Sequence, residues 1–364
     1  YFKKEWFYMK ERKYSDQINI DNEQKLRALV AELPRFCREY FIGIEPSTSS
    51  RTRIAYAYDL GVFFHYLHEN NAAMEKMEIV DFPIDILEQI TPMDIEEYLQ
   101  YLKFYHHNGK EYTNDERGQM RKLACLRSFY NYFFRKEIIE KNPAALVKMP
   151  KQHEKNIVRL DVDEIAILLD EAESGDKLTE RQKIYHNKTK KRDVAILTLL
   201  LGTGIRVSEC VGLDLNDIDP KNNGIKVHRK GGSEVMVYFG DEVAAALDVY
   251  LDERLEMEPK EGSTEAVFLS MQNKRINVRS VENLVKKYSR LVTTVKNITP
   301  HKLRSTYGTT LYQETGDIYL VADVLGHKDV NTTKKHYAAQ ADSRRRMAAK
   351  AVRLREKQSD SDQE

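Results

Sequence analysis

Two imidazoles, a guanidinium and a phenol crowd one C-terminal segment: His301 and Arg304 in Thr299-Pro300-His301-Lys302-Leu303-Arg304, His327 in Leu325-Gly326-His327, and Tyr337 ten residues further on. A second guanidinium, Arg206, stands upstream in Thr203-Gly204-Ile205-Arg206-Val207-Ser208-Glu209. This set suits covalent attack on a phosphodiester. A tyrosine hydroxyl is a weak nucleophile at its ordinary pKa, so attack on phosphorus requires a nearby base and strong neutralisation of the charge that builds there. Arginine neutralises best, because each guanidinium can hold two non-bridging oxygens, whereas lysine is a point charge better suited to giving up a proton. On a helix opening at Pro300, His301 and Arg304 share a face within the first turns, where the helix dipole also favours an anion.

Each residue alone has an ordinary explanation. Arg206 could pair with Glu209 at the start of its own helix, His301 could be a polar helix-start residue, and His327 could favour a helix C-terminus beside Gly326. Tyr337 is one of 21 tyrosines, and Tyr307, Tyr312 and Tyr319 are rival phenols that read as core or helix-face residues. It is the joint occurrence that points to chemistry.

The positioning elements follow from periodicity and punctuation. The chain of 364 residues is long enough for two domains, each with its own core. Apolar residues recur at helical spacing from about Asn22 to Ile139, which predicts a helical bundle. Thr91-Pro92-Met93-Asp94 predicts a helix start, with the helix running to about His107, and a further helix is expected over 114–137. Residues 1–21 form an N-terminal extension in this reading, 22–148 the bundle, and the polar, aperiodic stretch 149–160 a linker. A mostly helical second domain is expected over 161–340, with helices over 163–173, 193–201, 241–255, 278–290, 300–313, 318–325 and 331–337. Alternation over 225–229 and 234–239 around Gly231-Gly232 predicts a hairpin. A last helix and an acidic tail are expected over 341–364.

Composition excludes several classes. Lys+Arg of 58 against Asp+Glu of 57 gives a net charge of +1, so any polyanion partner must be met by local segregation of charge. Cys37, Cys125 and Cys210 are odd in number, dispersed and set in apolar helical sequence, which fits reduced thiols in a cytoplasmic protein and neither disulfide nor metal. There is no apolar run of membrane-spanning length, no phosphate-binding glycine loop and no carboxylate metal cluster, so neither cofactor nor metal is expected.

Arg206 in its Thr-Gly-Ile-Arg-Val-Ser-Glu box, His301-x-x-Arg304, Leu-Gly-His327 and Tyr337, in that order and spacing, resemble the tyrosine recombinase (phage integrase) family. The sequences over 52–67 and 126–143 are similar to that family's helical core-binding domain, so the resemblance extends from about Asn22 to Tyr337. Among its members the chain looks most like integrases of bacterial mobile elements and Xer-type recombinases. The resemblance implies a mainly α protein: a SAM-like helical bundle and a mostly helical catalytic domain with a small antiparallel sheet, together forming a C-shaped DNA clamp.

It also implies roles. Tyr337 would form a 3′-phosphotyrosyl link and release a 5′-hydroxyl, Arg206 and Arg304 would clamp the phosphate, His301 would take the tyrosine proton or bond the phosphate, and His327 would donate to a non-bridging oxygen. Lys230, in the turn of the hairpin, matches the lysine that protonates the leaving oxygen. The hairpin departs from the family's Gly-Lys-Gly-x-Lys pattern, with Arg229 at the first glycine and Ser233 at the second lysine, which leaves Lys226 and Arg229 as nearby competitors of Lys230. The implied activity is site-specific recombination on double-stranded DNA by a homotetramer, with an accessory excision factor as a further partner and no membrane. A type IB topoisomerase and a catalytically silent DNA-binding protein are the alternatives.

DNA contacts are read from local charge. Arg181 to Arg192 holds six basic residues and no acid, fitting a loop along a phosphate backbone with Lys190, Lys191 and Arg192 as contacts. Arg275 and Arg279 lead into a helix resembling the family's major-groove helix and are candidates for reaching base edges, and Arg51 and Arg53 open the opposite jaw or a solvated helix start.

Overall fold

The computed structural model describes residues 14–107, 109–151, 158–229, 232–327, 329–331 and 333. The chain divides into two compact units, meeting in sequence at Lys155 and Asn156. The first unit contains α1 (Tyr14–Ala31), α2 (Cys37–Ile44), α3 (Ser50–Asn70), α4 (Ile86–Gln89), α5 (Pro92–Tyr101), the short strands β1 (Tyr105–His107) and β2 (Lys110–Tyr112), α6 (Glu116–Arg135) and α7 (Pro143–Leu146). The N-terminal extension expected over 1–21 is helical from Tyr14 onward, because α1 packs along α3.

Helix starts follow their caps. The Ser49 hydroxyl accepts from the Thr52 amide, Asp115 from the Gly118 amide, and Thr91 and Asp94 form a reciprocal capping box with Pro92 in the first turn. The helix expected to reach His107 instead stops at Tyr101. Both the backbone and side-chain nitrogens of Asn114 donate to the Leu102 carbonyl, and Tyr105 pairs and stacks with Tyr112 across the β1–β2 hairpin. Asn108-Gly109 between two aromatic-rich strands is a hairpin signal, and it overrides the helical period.

The core of this unit is aromatic. Tyr40, Phe63, Phe64, Tyr98, Phe129 and Phe133 are fully buried, with edge-on contacts such as Tyr40 to Phe129 at 5.1 Å and Phe63 to Tyr98 at 5.1 Å. Each such ring contributes roughly 1.5–3 kcal/mol by leaving water. Charge is buried in this unit as well. Asp59 on α3 is 2% exposed and bonds Lys122 (Nζ to Oδ1, 3.0 Å) and Arg121, both on α6; burial pushes its carboxyl up from the ordinary value while the two cations oppose the shift.

The second unit contains α8 (Val162–Ser174), α9 (Glu180–Thr203), α10 (Val207–Val211), β3 (Ile218–Asp219), β4 (Gly224–His228), β5 (Glu234–Tyr238), α11 (Asp241–Glu256), α12 (Val278–Val292), α13 (Pro300–Thr315) and α14 (Ile318–Leu325). Strands run antiparallel in the order β3-β4-β5, with Ile225 opposite Val237 and Val227 opposite Val235. Ile225, Val227 and Val237 are buried, with Ile196, Leu197, Leu199 and Leu200 of α9 and Tyr250 of α11, and Val235 is half-buried. Among the described residues no helix is long and apolar enough to cross a membrane, and all three cysteines are buried thiols.

The stretch 181–192 is not the loop that its charge suggested but the first half of α9. Thr179 and Gln182 form a capping box, and no glycine or proline interrupts the chain before Gly202. Its inner face carries His186, Thr189 and Asp193. Tyr288 of α12 donates to Asp193 at 3.1 Å and lies 3.0 Å from His186 Nδ1, and Thr189 donates to Asp193 at 3.1 Å.

Removing the Asp59 carboxylate leaves the Lys122 ammonium buried and unpaired. Asp59→Ala is expected to lower the stability of the full chain by about 3–5 kcal/mol, measured as a fall in the urea midpoint; a loss below about 1 kcal/mol would mean that the pair behaves like an exposed one.

Candidate active site

Three of the sequence boxes meet at one buried side chain. Arg304, on α13 and 5% exposed, donates from Nη1 to the Gly204 carbonyl at 2.6 Å and from Nη2 to the Leu325 carbonyl. Gly204 caps the C-terminus of α9 and Leu325 is the last residue of α14. These are carbonyls with no partner inside their own helices, at the negative ends of two helix dipoles, so a cation is favoured there twice over. Gly204 has φ of +63°, and a Cβ there would lie 2.4 Å from the Tyr307 ring, so both backbone and packing require glycine.

Arg206 follows two residues later as the N-cap of α10. Its amide donates to Glu209 Oε2 at 2.8 Å and its Nη1 to Glu209 Oε1 at 2.7 Å. Glu209 is 7% exposed whereas the Arg206 side chain is 37% exposed. The carboxylate therefore orients the guanidinium from beneath and leaves its side chain reaching the surface. His301 is exposed in the first turn of α13, on the same face as Arg304.

On the third box, Gly326 (φ +62°) ends α14, and the His327 amide donates to the Ala322 carbonyl at 2.9 Å. The His327 ring is fixed by a 2.7 Å contact between Nδ1 and the hydroxyl of Thr333, which is fully buried. Tyr337 and Lys230 lie outside the described residues. The rival phenols are accounted for: Tyr307 and Tyr312 pack against Val321 and Leu325, with burial pushing the Tyr307 phenol up, and Tyr319 is exposed on α14.

The DNA-contact candidates separate into two groups. Arg51, Lys190, Lys191 and Arg279 are at the surface, Lys191 3.5 Å from Glu253 and Arg279 3.1 Å from Glu282. Arg53, Arg192 and Arg275 are not. Arg53 is 5% exposed and donates to the Glu45 and Thr48 carbonyls and to Glu23. Arg192 pairs with Asp193 at 2.7 Å and donates to the Leu269 carbonyl at 2.9 Å. Arg275 donates to the carbonyls of Val211 and Leu213, at 3.1 and 2.9 Å, and pairs with Asp214. In each case the long side chain turns inward to satisfy main-chain oxygens, a use of arginine that local charge cannot reveal.

Sequence reasoning missed Thr333 and the part that Arg229 plays. Arg229, at the end of β4, donates from Nη2 to the Val324 carbonyl at 2.8 Å, beside the Arg304 contact at Leu325. Its one sequence signal is that it stands where the family's pattern has glycine. Thr333 gave none beyond lying six residues after His327. No group of His, Cys, Asp and Glu able to hold a metal ion occurs among the described residues.

A helical unit followed by a mostly helical unit with one small sheet, in which two arginine boxes and a Leu-Gly-His turn share a buried guanidinium, has the build of DNA strand-exchange enzymes that work through tyrosine. Residues 158–344 match the model of the Phage integrase family. The chain is 34% identical over 306 residues to tyrosine recombinase XerC of Caldanaerobacter subterraneus subsp. tengcongensis, covering 81% of this chain and 79% of the relative. It is 30% identical over 334 residues to tyrosine recombinase XerS of Streptococcus sanguinis, covering 85% and 93%. Among solved structures, the Tn1549 transposon integrase in complex with circular intermediate DNA superposes with a TM-score of 0.61 at 20% identity, over 87% of this chain and 99% of that one. The chain belongs to the Phage integrase family. It is a tyrosine-type site-specific DNA recombinase, which cuts and rejoins DNA through a phosphotyrosyl intermediate.

Arg275→Ala strands the buried Val211 carbonyl and the Asp214 carboxylate and removes one of the two donors to the Leu213 carbonyl, which the Val267 amide still meets at 3.0 Å. It is expected to cost about 2–4 kcal/mol in denaturant unfolding while leaving base preference among DNA sites unchanged. A shift in preference at constant stability would restore Arg275 as a reader of bases.

Proposed function

We propose that Tyr337 is the nucleophile of this recombinase, that Arg206 and Arg304 hold the non-bridging oxygens of the scissile phosphate, and that His327 donates to one of them. His301 takes the tyrosine proton or bonds the phosphate, and Lys230 protonates the 5′-oxygen as it leaves. The observation that carries this reading is the meeting of the Arg206, His301-x-x-Arg304 and Leu-Gly-His327 boxes around the Arg304 guanidinium, which joins residues a hundred positions apart in the chain. The exposed cations Arg51, Lys190 and Lys191 contact the DNA backbone, and each contact adds to the salt dependence of binding, while Arg279 reaches base edges in the major groove. The reaction serves integration or excision of a mobile element in the cytoplasm, carried out by four protomers on two synapsed sites with an accessory factor directing excision.

A suicide DNA substrate, in which the cleaved 5′ fragment diffuses away, traps the covalent intermediate. Wild-type protein is expected to form a protease-sensitive DNA adduct without ATP or divalent metal, and Tyr337→Phe to form none while binding DNA normally. Full adduct formation by Tyr337→Phe would refute the assignment. Plasmid relaxation without strand exchange would indicate a topoisomerase, and the absence of any wild-type adduct a silent DNA-binding protein.

A further inference from the structure

The last two carbonyls of α14 are each bonded by an arginine from a different element. Leu325 is bonded by Arg304 of α13, and Val324 by Arg229 at the end of β4. The Arg229 guanidinium also lies directly against Gly326, since a Cβ built on that glycine would fall 2.1 Å from Nη1 and 2.5 Å from Cζ. Arg229 Nε is buried with no hydrogen-bond partner among the described residues. A guanidinium that gives up water at Nε, bonds one helix-end carbonyl and occupies the space above the glycine two residues further on is fastened rather than solvated. The hairpin itself is closed at this point, because the Arg229 amide donates to the Ser233 carbonyl at 2.8 Å and the Gly232 amide to the Arg229 carbonyl at 3.1 Å.

We propose that Arg229 is a positioning residue for strand cleavage: it ties the tip of the β4–β5 hairpin to the end of α14 beside His327, and so holds Lys230, the next residue in the chain, to its task. The inference rests on the reading of Lys230 as the proton donor. In that step the Tyr337 oxygen bonds to phosphorus as the bond from phosphorus to the 5′-oxygen breaks, and the lysine's proton passes to that oxygen. A hairpin carrying glycine at 229, as the family's pattern has it, lacks this tether. Proton transfer requires the donor within hydrogen-bond reach, and a misplacement of about 1 Å can cost on the order of 100-fold in rate.

The test separates positioning of the proton donor from any other role by changing the leaving group. A 5′-bridging phosphorothiolate expels a thiolate, which leaves without a proton, whereas the 5′-oxygen of the ordinary substrate must leave as an alkoxide or take up a proton and leave as a hydroxyl. Full-length Arg229→Ala is expected to form the adduct about 10- to 100-fold more slowly than wild type on the ordinary suicide substrate, at unchanged DNA affinity, and within about 3-fold of wild type on the phosphorothiolate. Arg229→Lys, which keeps a cation that can reach a carbonyl, is expected to fall between, and it carries the test should the alanine variant fail to fold. A wild-type rate for Arg229→Ala on the ordinary substrate would overturn the proposal, as would an equal deficit on both substrates, which would place its effect at His327 or in DNA binding. Lys230→Ala is run alongside: if it is not rescued by sulfur, the donor assignment falls and this inference with it, while the Tyr337 adduct still stands or falls separately.

Discussion

The catalytic unit depends on one contact, the bonding of the Arg304 guanidinium to the main chain at the ends of α9 and α14. Helix C-termini leave carbonyl oxygens without partners, and bringing two of them into a buried place would be costly unless a donor met both. A guanidinium can do this because its donors diverge in a rigid plane, which an ammonium on a flexible stem does not offer. The same geometry fixes the start of the Arg206 loop and the turn before His327 with respect to α13. The guanidinium proposed to hold phosphate is therefore also the one that fastens the helix ends around it.

That arrangement requires α9 to be held along its length, not at its tip alone. Midway along the helix, Asp193 accepts from Thr189, Arg192 and Tyr288, with His186 at the other side of the same phenol. Burial pushes the Tyr288 phenol above its ordinary value and the His186 imidazole below, which favours the neutral form of both. A buried polar cluster of this kind permits few alternative packings, since any shift of α9 would strand a donor or an acceptor. The helix is thereby pinned at its middle by side chains and at its end by main chain, while Lys190 and Lys191 face outward.

Sequence showed those parts of this arrangement that local rules govern. The β4–β5 hairpin, the cap at Thr91 and the start of α13 at Pro300 lie where alternation, capping and proline placed them. The failures share a cause. In 181–192 a dense run of positive charge masks a Thr-x-x-Gln capping box and an uninterrupted helical stretch, because charge says where a segment meets solvent and not what backbone it adopts. Arg53, Arg192 and Arg275 were placed at the surface because they are arginines in basic stretches, yet each satisfies carbonyls that distant segments bring near, and no spacing in the sequence encodes that proximity. Arg206 and Glu209 were legible as a pair; that Glu209 is the buried member became visible with the fold.

The arginines at 229 and 304 both choose carbonyl oxygens as partners, and this bears on how such a site can vary. A side-chain partner must be present as the right residue type, whereas a carbonyl is present whatever residue stands at Val324 or Leu325. An arginine can therefore appear at the hairpin tip and engage α14 without a compensating substitution at its partner. The one position that must stay small is Gly326, whose missing Cβ leaves room for the Arg229 guanidinium. Its φ of +62° already favours glycine for ending the helix. The backbone requirement that ends α14 thus keeps open the space that the hairpin arginine fills, and a departure from the family's glycine at 229 is accommodated by a glycine retained for another reason.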